Sequence, residues 1–252
     1  MTMTDGPPDP RRILEETDWA RLQHAGGAAF PVTPNRLSSL SSGKPGEVTS
    51  ALDHLWDDLF HQGSLYSATP AAALYVASIL GDPASRNYLA PAWEQGKRPL
   101  RSNLLEWLAE LAYSVSHSSE MQIKTAFKYS PMERIPLFGE VRGIRPAIFE
   151  GVSFCIADSN PDVKEAALLA AVHLLDDPAL ASQRDLLAPE VRGVLAASSR
   201  SGYRSAAAAA LASWGQGTEA PSDAEDPAKS KENAWNDFYR DRDRGPIDES
   251  PF

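Results

Sequence analysis

The side chains best suited to chemistry lie together in the run DHLWDDLFH, residues 53 to 61. His54, Asp58 and His61 recur at i, i+4 and i+7, which would bring two imidazoles and a carboxylate to one side of a helix. Such a set has the donors a divalent cation needs. Nothing else supports a metal: there is no HExxH pair and no paired-cysteine spacing. Consecutive carboxylates such as Asp57-Asp58 usually face solvent, and His61 stands where a turn begins. No metal and no cofactor are expected. Nucleophilic chemistry has weaker support. The single cysteine, Cys155, sits among Val152, Phe154 and Ile156, where a thiol is buried and inert. The serines lie in no GxSxG turn. Gly26-Gly27 and Gly215-Gln216-Gly217 lack the Lys-Ser/Thr of a phosphate loop. His173, in an alanine- and leucine-rich run, reads as a packing residue rather than a base. The chain is not expected to be an enzyme.

The same residues, with their neighbours, read better as a binding surface. Asp53, Asp57, Asp58, His61, Glu106 and Glu110 fall on polar helix faces. Trp56, Tyr66, Trp93 and Trp107 have two readings. Large aromatics in helices are mostly core, and the alternative is an exposed anchor in a groove, since Trp and Tyr dominate interface hot spots. These ten residues are the candidate partner-binding set.

The elements that must position them centre on Val48 to Leu80. Val48, Leu52, Leu55 and Leu59 recur at the helical period and form one apolar stripe. Gly63 stands where that helix should stop, a position suited to a left-handed cap. Thr69-Pro70 predicts the next start, with Thr69 as the cap and Pro70 in the first turn. The second helix runs to Leu80 and stops at Gly81-Asp82-Pro83. Further helices are expected over Arg11–His24, Arg101–His117, Glu140–Ala157 with a break at Pro146, Pro161–Leu175, Gln183–Ser198 and Gly202–Trp214. Ala84–Gly96 reads as a short helix, Asn35–Leu40 as one turn, and Ser118–Phe138 as a largely solvent-facing loop. No sheet is expected. Pro161-Asp162-Val163-Lys164-Glu165-Ala166-Ala167 aligns with Ser201 to Ala207 at an offset of 40 residues, a weak internal repeat.

Two runs carry a family resemblance. ALDHLWDDLFHQGSLYSATPAA, from Ala51, resembles bacterial, actinobacterial-type HEAT-like repeat proteins. DSNPDVKEAALLAAVHLL, from Asp158, resembles a general HEAT second helix. The resemblance spans residues 18 to 214. It implies an all-α fold, a HEAT-like α-solenoid of stacked antiparallel helix pairs. It also implies a function in binding other proteins, since some members resemble immunity proteins that occlude a toxin. The alternatives are a general scaffold or regulator, or a HEAT-like DNA glycosylase or lyase.

Composition narrows these. The chain of 252 residues is 42% hydrophobic with a net charge of −10. That charge argues against nucleic acid, whose binding needs a basic stripe, and favours neutral or basic partners, of which the resemblance implies a basic toxin domain. No window approaches the roughly 18 apolar residues of a membrane span. A lone cysteine and no signal peptide point to a cytoplasmic protein. Residues 1–10 read as a leader, 11–216 as the solenoid domain, and 217–252 as an acidic tail too poor in apolar residues to fold alone. Within that tail Trp235, Phe238 and Tyr239 fall at i, i+3 and i+4, one helical face suited to docking near Tyr203 and Trp214 or on a partner.

Overall fold

The computed structural model describes residues 8–61, 63–86, 88–91 and 97–217. They are mostly helical. The leader up to residue 7, Gln62, Trp93 and the tail from residue 218, with Trp235, Phe238 and Tyr239, lie outside the described residues.

The N-terminal quarter is more broken than its sequence suggests. Helix α1 (Pro10–Glu16) ends early, because a 3-10 turn at Trp19–Arg21 follows. Two short strands, β1 (Gln23–His24) and β2 (Gly27–Ala28), then pair antiparallel. Gly27 has φ +117°, which an L side chain adopts only under strain, so glycine closes this hairpin. Helix α2 covers Val32–Ser39, longer than the single turn expected.

Helix α3 (Pro45–Asp53) continues into a π-helical segment over His54–Leu59. The expected stripe is buried: Val48, Leu55 and Leu59 are 0% exposed and Leu52 is 6% exposed. The wider π turn also brings Trp56 and Phe60 inside. Gly63 has φ +80°, as its place after the helix predicts. Thr69 differs from expectation. Its Oγ1 accepts from the Tyr66 N–H at 3.0 Å and donates to the Leu59 carbonyl at 2.6 Å. It therefore satisfies the carbonyl end of the π segment rather than capping the next helix, α4 (Thr69–Ile79).

Helix α4 packs mainly on α1 and on α10 (Arg145–Ile156), not back on α3 as an isolated pair. Gly151 of α10 makes the close approach: a Cβ there would sit 2.2 Å from the Ala77 carbonyl oxygen. After α5 (Pro83–Arg86), the segment expected to be helical instead forms β3 (Leu89–Pro91), paired antiparallel with β4 (Lys97–Pro99). Both ribbons correct the expectation of no sheet. Strands of two or three residues are too short to print an alternating pattern in the sequence.

Helix α6 (Leu100–Ser114) is nearly engulfed, with Leu100, Leu104, Leu105, Trp107, Leu108 and Leu111 all 0% exposed. The supposed loop that follows is helical. It holds α7 (His117–Phe127), capped by Ser116, which accepts from the Ser119 N–H, then α8 (Pro131–Arg134) and α9 (Pro136–Gly143). Helix α7 buries no residue, so no apolar stripe announced it.

Helices α10 and α11 (Pro161–Leu174) form a hairpin, as do α12 (Arg184–Ala197) and α13 (Ser201–Ser213). Asn160 caps α11, its side chain accepting from Asp162 N and Val163 N. Helix α11 is apolar nearly all round, and α6, α10, α12 and α13 all pack on it. Its alanines let these axes come close. Two buried arginines lock the hairpin ends. Arg101 pairs with Asp158 at 3.2 Å and reaches Ser85 and the Asp82 carbonyl. Arg145 pairs with Asp176 at 3.5 Å and Asp177 at 3.2 Å.

Candidate functional site

The His54–Asp58 pair forms, but inside a closed network. His54 is 3% exposed. Burial holds its pKa below the ordinary imidazole value, opposed by Asp58, so the ring is neutral. Nδ1–H then donates to Asp58 Oδ2 at 2.7 Å, and Nε2 accepts from the Thr33 hydroxyl at 3.0 Å. His24 packs edge-on against His54, with 5.0 Å between ring centres, and its Nδ1 accepts from the Gly26 N–H. Asp58 also anchors the β1–β2 hairpin through its carbonyl, which accepts from Ala25 N at 2.8 Å. The Thr33–His54–Asp58 order resembles a nucleophile, base and orienter, yet Thr33 is 0% exposed and open to no substrate. The network ties the hairpin and α2 to the π segment. His61 joins neither partner, and among the described residues no cluster of His, Cys, Asp or Glu is arranged for a metal.

The remaining candidates divide sharply. Trp56 (4% exposed) and Trp107 (0%) take the core alternative and present no surface to a partner. Asp53 and Asp57 are exposed on α3 and the π segment, and His61 and Tyr66 are half-buried near the following turn. Burial, then Asp57, raises the Asp53 pKa. Cys155 is buried and its thiol is pushed up to about 11, again by burial. Among the described candidates, Glu110 lines a concave site and Glu106 bonds to Tyr203 at its edge.

That site is a groove of about 440 Å³. Its origin lies in the composition of α13. Ala206 to Ala210 give a helix of high intrinsic propensity with almost no side-chain bulk. Helices α6 and α13 both pack on α11, and the small α13 face leaves the space between them unfilled. Leu169 and Val172 of α11 and Ala206 and Ala210 of α13 give the groove its apolar surface. Glu110, Asp176 and Arg184 bring charge to it, and Trp214 borders it beyond the end of α13.

At the first turn of α13, where Tyr203 lines the groove, a charged bridge joins α6 to α13. Glu106 accepts from Arg98 Nη1 at 3.0 Å, from Arg200 Nη1 at 3.1 Å and from the Tyr203 hydroxyl. Burial, then the Glu106 carboxylate, raises the Tyr203 pKa well above the phenol range, so Tyr203 stays a donor. Glu106 is thus committed to holding the groove wall.

His173 packs edge-on to Tyr113 with 5.1 Å between ring centres, as its alanine- and leucine-rich run predicts, and it also lines the groove. Burial lowers its pKa to about 4, with Asp176 opposing. A histidine held neutral in the folded state loses stability as pH falls below its unfolded value of about 6.5, because the unfolded chain then binds the extra proton. Between pH 7 and pH 5 this removes about 2 kcal/mol. Denaturant titrations at the two pH values should show that loss in wild type and a smaller one in His173→Gln. His54 contributes in the same direction in both proteins. An equal loss in the two would show that His173 is not held neutral.

The groove was hard to read from sequence because an alanine-rich helix signals helicity, not the space its small side chains leave. No protein-family model, no curated protein and no solved structure matches the chain.

Proposed function

We propose that the protein is a non-catalytic binding module whose α6–α11–α13 groove takes a helical segment of another protein. The observation that carries this is the groove itself: apolar side chains from two helices, rimmed by charge and large enough for bulky side chains. An amphipathic helix laid in such a groove is a common recognition mode. The stacked hairpins α10–α11 and α12–α13 support the HEAT-like solenoid reading, in which neighbouring pairs build an extended concave face. The narrower reading is an immunity protein that occludes a basic toxin domain. It draws support from the net charge of −10, which would steer a cationic partner and speed capture.

Ala209 lines the groove and is solvent-exposed, so Ala209→Glu puts a charge there without touching the core. Affinity capture from source-cell extract, read by mass spectrometry, should recover a protein with wild type that Ala209→Glu fails to retain. Thermal midpoints of the two baits should agree. If every captured protein is held equally by both, the groove is not the binding site and the reading fails.

A further inference from the structure

We propose that the groove's resting occupant is a segment of the same chain centred on Trp235, Phe238 and Tyr239, which a partner must displace. The proposal rests on the binding role of the groove given above and names what competes for it. The three aromatics fall at i, i+3 and i+4, so one helical turn would present all three on one face. Each can bury about 150–250 Å². A groove of about 440 Å³, whose α13 side between Tyr203 and Trp214 is lined by small residues, has room for bulky rings.

The tether fits. Trp214 borders the groove, and Gly215, at φ +69°, turns the chain out of α13. Gln216 is held there, its Nε2 donating to Asp185 at 2.8 Å and its Oε1 accepting from Arg192 at 2.7 Å. The tail therefore leaves from beside the groove. The 17 residues from 218 to 234 precede Trp235. Fully extended, 17 residues reach up to ~60 Å, against ~20 Å for the length of α13. A tether that can reach makes docking intramolecular and raises the segment's effective concentration at the groove. Charge adds little, because acidic and basic residues nearly balance between Glu232 and Arg244. The apolar face decides the docking.

The test uses a fluorescein-labelled peptide of residues 230–244 and full-length protein. The variant Trp235→Ala/Phe238→Ala/Tyr239→Ala should bind the peptide at least ten-fold more tightly than wild type, by anisotropy, because its own tail no longer competes. Adding Ala209→Glu to that variant should weaken binding at least ten-fold, while adding Ala209→Ser, a control for folding, should not. Equal binding by wild type and the triple variant would overturn the proposal, as would indifference to Ala209→Glu. A wild-type dimer that the triple variant loses would overturn the intrachain form in favour of docking on a second copy. If the peptide fails but capture still depends on Ala209, the binding role stands and only the tail's part in it falls.

Discussion

Trp107→Ala is expected to unfold the protein or bring it to the edge of unfolding. Trp107 is 0% exposed, and its Nε1–H donates to the Leu55 carbonyl at 2.8 Å. Truncating a buried tryptophan costs about 3–5 kcal/mol through lost transfer energy and the cavity left behind. Orphaning the Leu55 carbonyl adds about 1–3 kcal/mol. That carbonyl lies in the π segment His54–Leu59, so the bond ties α6 to that segment. Against a total stability of about 5–15 kcal/mol, the sum removes much of the margin. Trp107→Phe separates the two contributions, since it keeps most of the ring and loses the donor. Its cost should be about 2 kcal/mol. Denaturant midpoints should rank wild type, Phe, then Ala. Identical midpoints for the two variants would show that the hydrogen bond, not the packing, carries the effect.

Gly151→Ala should cost about 3 kcal/mol, although alanine is the better helix former. Gly151 lies within α10 without a positive φ, so the substitution gains about 1 kcal/mol of helix propensity. The opposing effect is steric. The new Cβ would lie 2.2 Å from the Ala77 oxygen and 2.7 Å from its carbonyl carbon. Those atoms are backbone in the last turn of α4 and cannot rotate away, so α4 and α10 must part. Overpacking of a tight core costs about 1–3 kcal/mol even where side chains can adjust, and here none can. A thermal midpoint at or above that of wild type would mean that the two helices separate freely.

What the sequence determined by itself is local. The Val48, Leu52, Leu55 and Leu59 stripe fixed the buried side of α3 and its π extension, because side-chain spacing along a helix follows from backbone geometry alone. Asn160 and Pro161 fixed the start of α11, and Pro146 the break between α9 and α10, through the limited conformations proline allows. Cys155 was legible as a buried thiol from its apolar neighbours. The partner of each helix was left to the tertiary structure. Any apolar stripe can pack on any other, and only shape selects. Gly151 against Ala77 sets α4 on α10, and the alanines of α11 admit four helices around it. The burial of Arg101 and Arg145 was left to the tertiary structure too: arginine is rarely buried unless its partners are in place, and Asp158 and Asp176 arrive only when distant turns close. The groove belongs to the same class. Glu106 and Glu110 pointed to a polar face of α6, but the concavity beside them exists because α13 brings alanines where another helix would bring leucines.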